Sequence, residues 1–184
     1  MTYEIDIAGL KRDLPLCPVT DDLYIGAFVI FGDVELTVHC AAELLKRAPD
    51  YDYLIAPEAK AIPLLYEMAR QSGAEKYFLA REKAKAYMSG VFEVKVQSIT
   101  TAGEQTLVLD TEDAKLMKGK RMLIIDDVIS TGESLHAMEV LVEKAGGIIA
   151  GRMAVLAEGD AAKRDDIITL APLPLFNPDG TPKA

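Results

Sequence analysis

Three features of the chain predict an α/β protein built on a parallel sheet. Apolar runs of strand length alternate with segments of helical period from residue 34 to about residue 157. The run "RMLIID", residues 121–126, carries few polar interruptions, as expected of a central strand covered on both faces. Half of the 184 residues are apolar. A chain of that length forms one domain, residues 1–184, and buries roughly 70% of its unfolded surface without staples.

Residues 1–33 are mixed. "DLPLCPV" and "LYIGAFVIFGD" read as short strands, with turns at Asp21-Asp22 and Gly32-Asp33. "VELTVHCAAELLKRA" places Val34, Val38, Ala41, Ala42 and Leu45 at helical spacing, with Lys46 and Arg47 closing the last turn. "YDYLIAP" is a strand. "IPLLYEMARQSG" is a helix with Pro63 in its first turn, where a missing N–H costs nothing, and Gly73 as its stop. "KYFLA" is a strand again. Residues 81–104 are long and polar, with alternation only in "VFEVKVQSI". "QTLVLD" is a strand, and "TEDAKLMKG" a short helix capped by Asp110. After "RMLIID", "GESLHAMEVLVEKAGG" is a helix with Leu135, Met138, Leu141, Val142 and Ala145 on one side, and "IIAGRMAVLA" is a further strand. The tail, with Pro172, Pro174, Pro178 and Pro182, reads as irregular.

Net charge excludes some functions. At −9 the chain has no basic face for nucleic acid, although a local cationic pocket inside an acidic surface can hold a small anion. Two scattered cysteines, Cys17 and Cys40, without a C-x-x-C, fit a reduced intracellular protein better than a disulfide-stapled one. His39 and His136 lack metal-ligand spacing. No apolar run approaches the ~18 residues of a membrane span. Glu4 and Asp6 stand where a secretory signal needs a basic start, so a cytoplasmic protein with no membrane or nucleic-acid partner is expected.

The chemistry concentrates in "RMLIIDDVISTGES", residues 121–134. Two adjacent carboxylates, Asp126 and Asp127, follow an apolar strand, and hydroxyls and a glycine follow them. In open parallel sheets ligands bind beyond the carboxyl ends of strands, which is where this segment falls. Ser130, Thr131, Gly132, Glu133 and Ser134 precede a helix, whose first amides carry partial positive charge and suit a phosphate. Carboxylates accept hydrogen bonds from vicinal hydroxyls and hold Mg²⁺ through its waters. A bare Asp-Asp would read as an ordinary strand end, and Thr131 with Ser134 as a plain helix cap. The whole string is more specific, and points to a sugar phosphate. The chain has no G-x-G-x-x-G after a strand, no G-x-x-x-x-G-K-[ST] and no G-x-S-x-G.

"MLIIDDVISTGES" resembles the phosphoribosyl-pyrophosphate (PRPP) motif of the type I phosphoribosyltransferases. The resemblance implies that Asp126 and Asp127 contact the ribose hydroxyls and Mg²⁺, while Val128 and Ser130 to Ser134 cradle the 5′-phosphate. Glu133 departs from the pattern, where small residues are usual. "APEAKAIP", residues 56–63, resembles the family's pyrophosphate loop, with Lys60 on the pyrophosphate and the amides of Ala59 and Ala61 assisting; glycine is usual where Ala61 stands. Alone, Lys60 would read as a solvated lysine. "AREKAKAYMSG" resembles the mobile loop that closes over PRPP, with Lys83 and Lys85, then Arg81, as pyrophosphate contacts. Alone it would read as a solvated charge run.

By resemblance the fold is the type I phosphoribosyltransferase fold: a core of residues 34–156 and a small hood from residues 1–33 and 157–184. The resemblance runs over about residues 34–160 and, with "VLAEGDAAKRDDI", looks most like the adenine phosphoribosyltransferase branch and its bacterial relatives. It implies purine salvage: a purine nitrogen displaces pyrophosphate, giving a nucleoside 5′-monophosphate, with Mg²⁺ as cofactor and a homodimer as the assembly. Phe28, Val29 and Phe31 either stack on the base or pack against Leu156; Ala157 and Glu158 fall nearby. Two alternatives stand beside this reading. One is the same chemistry on xanthine, hypoxanthine, guanine or orotate. The other is a non-catalytic PRPP-sensing regulator, for which this acidic chain has little room for a DNA-binding module.

Overall fold

The computed structural model describes residues 1–97 and 104–183. The chain opens with strands β1 (Thr2–Ile7), β2 (Leu10–Thr20) and β3 (Leu23–Gly26), then helix α1 (Val34–Leu45), β4 (Tyr53–Pro57), α2 (Ile62–Ser72) and β5 (Phe78–Ala80). It continues through β6 (Val91–Gln97), β7 (Glu104–Asp110), α3 (Thr111–Met117), β8 (Arg121–Ile129), α4 (Glu133–Lys144) and β9 (Ile148–Glu158). A 3₁₀ turn (Gly159–Lys163), β10 (Ile168–Leu173) and β11 (Leu175–Phe176) complete the described chain.

The main sheet has five parallel strands in the order β10-β9-β8-β4-β5. Alternation along each strand sends side chains to two faces. Leu54, Ala56, Leu123, Ile125, Met153 and Val155 pack with α1 and α2 residues such as Leu44, Leu64 and Met68. Ile55, Met122, Ile124 and Ala154 pack on the other face with Leu135, Met138 and Leu141 of α4 and Met117 of α3. Helices therefore cover both faces of an α/β sheet, as the sequence predicts.

The chain reverses its direction of winding between β4 and β8. From β4 it crosses through α2 to β5 on one side, and from β8 through α4 to β9 on the other. That is a topological switch point, where the loops at the strand ends diverge and leave a crevice. The crevice is deepened by unequal strand lengths. β4 pairs with β8 only as far as Ile124, whereas β8 runs on beside β9 to Ile129. Beyond Ile124 the β4 side of β8 has no partner strand among the described residues, and Asp126 and Asp127 lie there.

Local chemistry sets the helix ends. Asp33 caps α1 by accepting from the Leu36 amide, and Asp110 caps α3 by accepting from the Glu112 amide. Such caps contribute about 1 kcal/mol each. Gly73 ends α2 with φ 71°, a left-handed conformation that suits a residue without Cβ.

Three expectations need correction. Residues 1–12, read only as mixed, hold β1, along which Tyr3, Ile5 and Ile7 alternate with exposed polar residues. Its two-residue turn at Ala8-Gly9 has both φ values positive, at 55° and 81°, without the Asn-Gly or Asp-Gly pair that usually announces it. The second strand expected over 23–33 stops at Gly26. The tail is not irregular: β10 joins the main sheet beside β9, and β11 pairs with β3. Pro172 is tolerated because β10 is an edge strand, with no neighbour to receive a missing N–H. A second, antiparallel sheet thus has the order β1-β2-β3-β11 and joins both ends of the chain, while residues 168–173 of the expected C-terminal hood belong to the main sheet. Its buried Ile5, Ile7, Leu14 and Phe176 share one apolar cluster with α1 and α2.

The polar stretch 81–104 is partly ordered as β6, which forms an antiparallel ribbon with β7. Val94, Leu107 and Leu109 bury its inner face against α4. Residues 98–103, within the polar stretch 81–104, lie outside the described residues. No described helix is long and apolar enough to cross a membrane.

Candidate active site

The crevice holds a cavity of about 400 Å³ lined by Pro57, Glu58, Ala59, Lys60, Glu82, Gln105, Leu107, Asp126, Asp127, Val128 and Ser134. A smaller pocket of about 120 Å³ adjoins it, lined by Asp126, Val128, Ile129, Ser130, Thr131, Gly132, Ser134 and Leu135. Asp126, Val128 and Ser134 border both. The structure therefore gathers Ala59 and Lys60 after β4, Asp126, Asp127 and Val128 in the last part of β8, and Ser130, Thr131, Gly132 and Ser134 in the turn and first residues of α4.

Both acids are buried, Asp126 9% and Asp127 6% exposed. The Asp127 amide donates to Asp126 Oδ1 at 2.8 Å. Burial first, then the charge and side chain of Asp127, push the Asp126 carboxyl well above the usual carboxylate range; Lys60 pulls the other way. Asp127 Oδ2 is buried without a hydrogen-bond partner among the described residues. Leaving a buried acceptor unsatisfied costs about 1–3 kcal/mol, and more when it is charged. A ligand that brings hydroxyl donors, or a hydrated cation, would relieve that cost.

This donor set fits Mg²⁺ only in part. Among the described residues no group of three His, Cys, Asp or Glu side chains gathers as a metal cage. Mg²⁺ takes six oxygens, keeps several waters, and is commonly held by one or two carboxylates plus substrate phosphates. Asp126 and Asp127 suit that shared arrangement.

The turn into α4 is built to leave donors outward. Gly132, at φ 82°, is the N-cap residue and has no side chain to cap the helix; its carbonyl accepts from the His136 amide at 2.9 Å. Thr131 Oγ1 takes only a long bond, 3.4 Å, from the Glu133 amide. The first-turn amides have no intrahelical acceptor by helix geometry. Glu133 is half-buried and lines neither cavity. Ser130 Oγ donates to Glu158 Oε2 at 2.7 Å.

The other predicted contacts divide. Ala61 is buried at the N-cap of α2, with φ −74° and ψ −10°, so alanine sits there without strain but away from the cavity lining. Arg81 Nε is in ionic contact with Glu58, off hydrogen-bond alignment, and Lys85 Nζ lies 3.7 Å from the same carboxylate. Lys83 is exposed and outside the cavity lining. Phe28 is 6% exposed and Leu156 fully buried, and both belong to one apolar cluster. Val29 and Phe31 are exposed. Phe28 and Val29 line a groove of about 310 Å³, with Arg12, Leu14 and Asp33, that shares no residue with the crevice.

Sequence reasoning missed Glu58, Glu82 and Gln105 as cavity residues. Glu58 had a signal, since it immediately precedes Ala59 and Lys60 on a strand-end loop. Gln105 had none, because only the packing of β7 beside the sheet edge brings it there.

A parallel sheet with helices on both faces, a buried acid pair at its switch point and an amide-lined turn define an α/β protein with its candidate site at the carboxyl ends of the strands. Residues 37–170 match the family described as "Phosphoribosyl transferase domain". The chain belongs to the phosphoribosyltransferase family. It is 27% identical over 174 residues to an adenine phosphoribosyltransferase of Thermosipho africanus, covering 90% of this chain and 98% of that one. It is 33% identical over 130 residues to a hypoxanthine/guanine phosphoribosyltransferase of Methanocella paludicola, covering 70% and 64%. The crystal structure of an adenine phosphoribosyltransferase from Thermoanaerobacter pseudethanolicus superposes with a TM-score of 0.68 at 20% identity, over 86% of this chain and 95% of that one. That likeness concerns the fold.

Proposed function

We propose that this enzyme transfers the 5-phosphoribosyl group of PRPP to a purine, with adenine as the preferred base, releasing pyrophosphate and a nucleoside 5′-monophosphate. The observation that carries the reading is the single crevice into which Asp126, Asp127, Lys60 and the Gly132 turn all open. Asp126 and Asp127 accept from the ribose 2′- and 3′-hydroxyls. The amides and hydroxyls of residues 130–134 hold the 5′-phosphate at the helix N-terminus. Lys60 and the Ala59 amide face the pyrophosphate, whose negative charge grows as its bond to the anomeric carbon breaks. Catalysis on such a centre comes from positioned donors and cations, without a protein nucleophile. Asp126 and Asp127 would hold Mg²⁺ together with substrate oxygens, and the ion would supply charge neutralisation there.

Glu58 now occupies Arg81 and Lys85 as an internal anion. Pyrophosphate is the competing anion for these cations, and Lys83 joins them when residues 80–90, the segment that resembles the family's mobile loop, close over it. The β1-β2-β3-β11 sheet is the hood, and the 27–31 segment that leaves it supplies the base site. A cytoplasmic homodimer acting in purine salvage completes the reading.

Adenine preference draws support from the nearly full-length similarity to an adenine phosphoribosyltransferase, and the shorter match to a hypoxanthine/guanine enzyme supplies the competitor. The test is a panel of purified protein, Mg²⁺, PRPP and six bases (adenine, hypoxanthine, guanine, xanthine, orotate and uracil), with nucleotides identified by mass. AMP as the dominant product is expected. Another nucleotide reassigns the base, and PRPP binding with no product from any base makes the protein a sensor.

A further inference from the structure

We propose that Arg164 is a binding residue for the 5′-phosphate, closing the phosphate cradle from the side opposite α4; this rests on the phosphoribosyltransferase reading above. A Cβ built on Gly132 would lie 2.9 Å from Arg164 Nη1. The guanidinium therefore abuts the one residue of the cradle that has no side chain. Its other two nitrogens are committed elsewhere: Nε and Nη2 both donate to the Asp166 carboxylate, at 2.8 and 2.7 Å. This two-point grip fixes the guanidinium plane and turns Nη1 toward Gly132.

The position is reached by an orderly path. β9 ends at Glu158, which accepts from Ser130, and the 3₁₀ turn Gly159–Lys163 then carries the chain alongside the cradle to Arg164. The cradle is thus touched twice by the same segment, at Ser130 and at Gly132.

Charge balance gives this contact its purpose. The pocket around the turn is lined by hydroxyls, apolar groups and one ionisable residue, Asp126. No cation lines it. The neighbouring cavity adds Glu58, Glu82 and Asp127 against Lys60. A phosphate monoester brings about −1.5 to −2 more charge. Amides and a helix N-terminus alone would then hold a near-dianion beside buried carboxylates in a chain of net charge −9. Arg164 supplies the missing positive charge at the place where the turn has room for it. Arginine suits the task because one guanidinium can grip a carboxylate on one edge and a phosphate oxygen on another.

The test compares ligands that carry the 5′-phosphate with one that does not. Calorimetric titrations use ribose 5-phosphate, AMP and inorganic pyrophosphate on wild type, Arg164→Gln and Arg164→Lys. Arg164→Gln should weaken ribose 5-phosphate and AMP by tenfold or more and leave pyrophosphate within twofold; Arg164→Lys should recover part of the loss. Asp166→Asn removes the anchor but keeps the guanidinium, and carries the test if Arg164→Gln does not fold: a threefold or greater loss for ribose 5-phosphate alone is expected. Ribose 5-phosphate affinity unchanged in these variants, or lost in parallel with pyrophosphate, overturns the assignment. Wild-type protein that binds no ribose 5-phosphate overturns the functional reading itself.

Discussion

Ser130 and Glu158 join the two strand ends that frame the crevice: Ser130 Oγ, just past β8, donates to Glu158 Oε2, the last residue of β9, at 2.7 Å. The bond ties the phosphate turn to the neighbouring strand, and Glu158 is only 9% exposed. A hydrogen bond to a charged group contributes about 1.5–3 kcal/mol. Ser130→Ala should therefore raise the KM for PRPP at least about tenfold, since about 1.4 kcal/mol is a factor of ten. Steady-state kinetics check it, and an unchanged KM would show that the turn keeps its shape without this bond.

The acid pair predicts a trade between function and stability. Asp126→Asn with Asp127→Asn removes two buried acids, each of which disfavours ionisation of the other, so the folded protein should melt no lower than the parent. Turnover should fall by at least about 100-fold. Thermal melting and product formation are measured on the same preparation. Retained activity would sink the site assignment.

Among the described residues Lys60 is the one cation lining the larger cavity. Lys60→Ala should weaken inorganic pyrophosphate by about tenfold or more while leaving ribose 5-phosphate nearly unchanged. Equal losses for both ligands in titration calorimetry would mean that Lys60 does not face the pyrophosphate side.

Thiol chemistry should separate the two cysteines. Cys40 is fully buried in α1, and burial pushes its thiol up to about 12. Cys17 is half-exposed on β2. A thiol reagent at neutral pH should label one equivalent per chain in the native protein and a second only after denaturation. Rapid native labelling of Cys40, read by peptide mass, would contradict the packing of α1.

Acid stability should depend on Arg12. Its Nε and Nη2 donate to both oxygens of Asp33, the α1 cap, and hold that carboxyl below the usual carboxylate range. A depressed folded value stabilises above the unfolded pKa, about 3.9, and that contribution is lost as pH falls through the folded value. Arg12→Gln should lower the urea midpoint at pH 7, with the gap to wild type narrowing below about pH 4. A gap independent of pH would assign the effect to packing instead. Both side chains are 27% exposed, so solvent screens the pair.

Much of the fold was legible because it rests on short-range rules. Leu123 and Ile125 face one way and Met122 and Ile124 the other, a period-two pattern visible in the chain. Asp110 before Thr111 announces a cap, and Gly73 a stop. The site was legible in its largest piece because Asp126 to Ser134 are contiguous, so strand, turn and helix bring them together unaided. The terminal strands were harder. β1 turns through Ala8-Gly9, a weak hairpin signal, and β10 carries a proline that only an edge position permits.

The order of residues by itself determined the parallel α/β architecture, the acid pair at a strand end and the amide-bearing turn after it, because each follows from spacing along one continuous segment. Tertiary structure alone decided that β4 stops short of β8 and opens a crevice, that Glu58 takes hold of Arg81 and Lys85, and that Arg164 comes to rest against Gly132. These meetings depend on which strands become neighbours. Strand order is settled by the burial of whole faces and the handedness of crossovers, which no local run of side chains records.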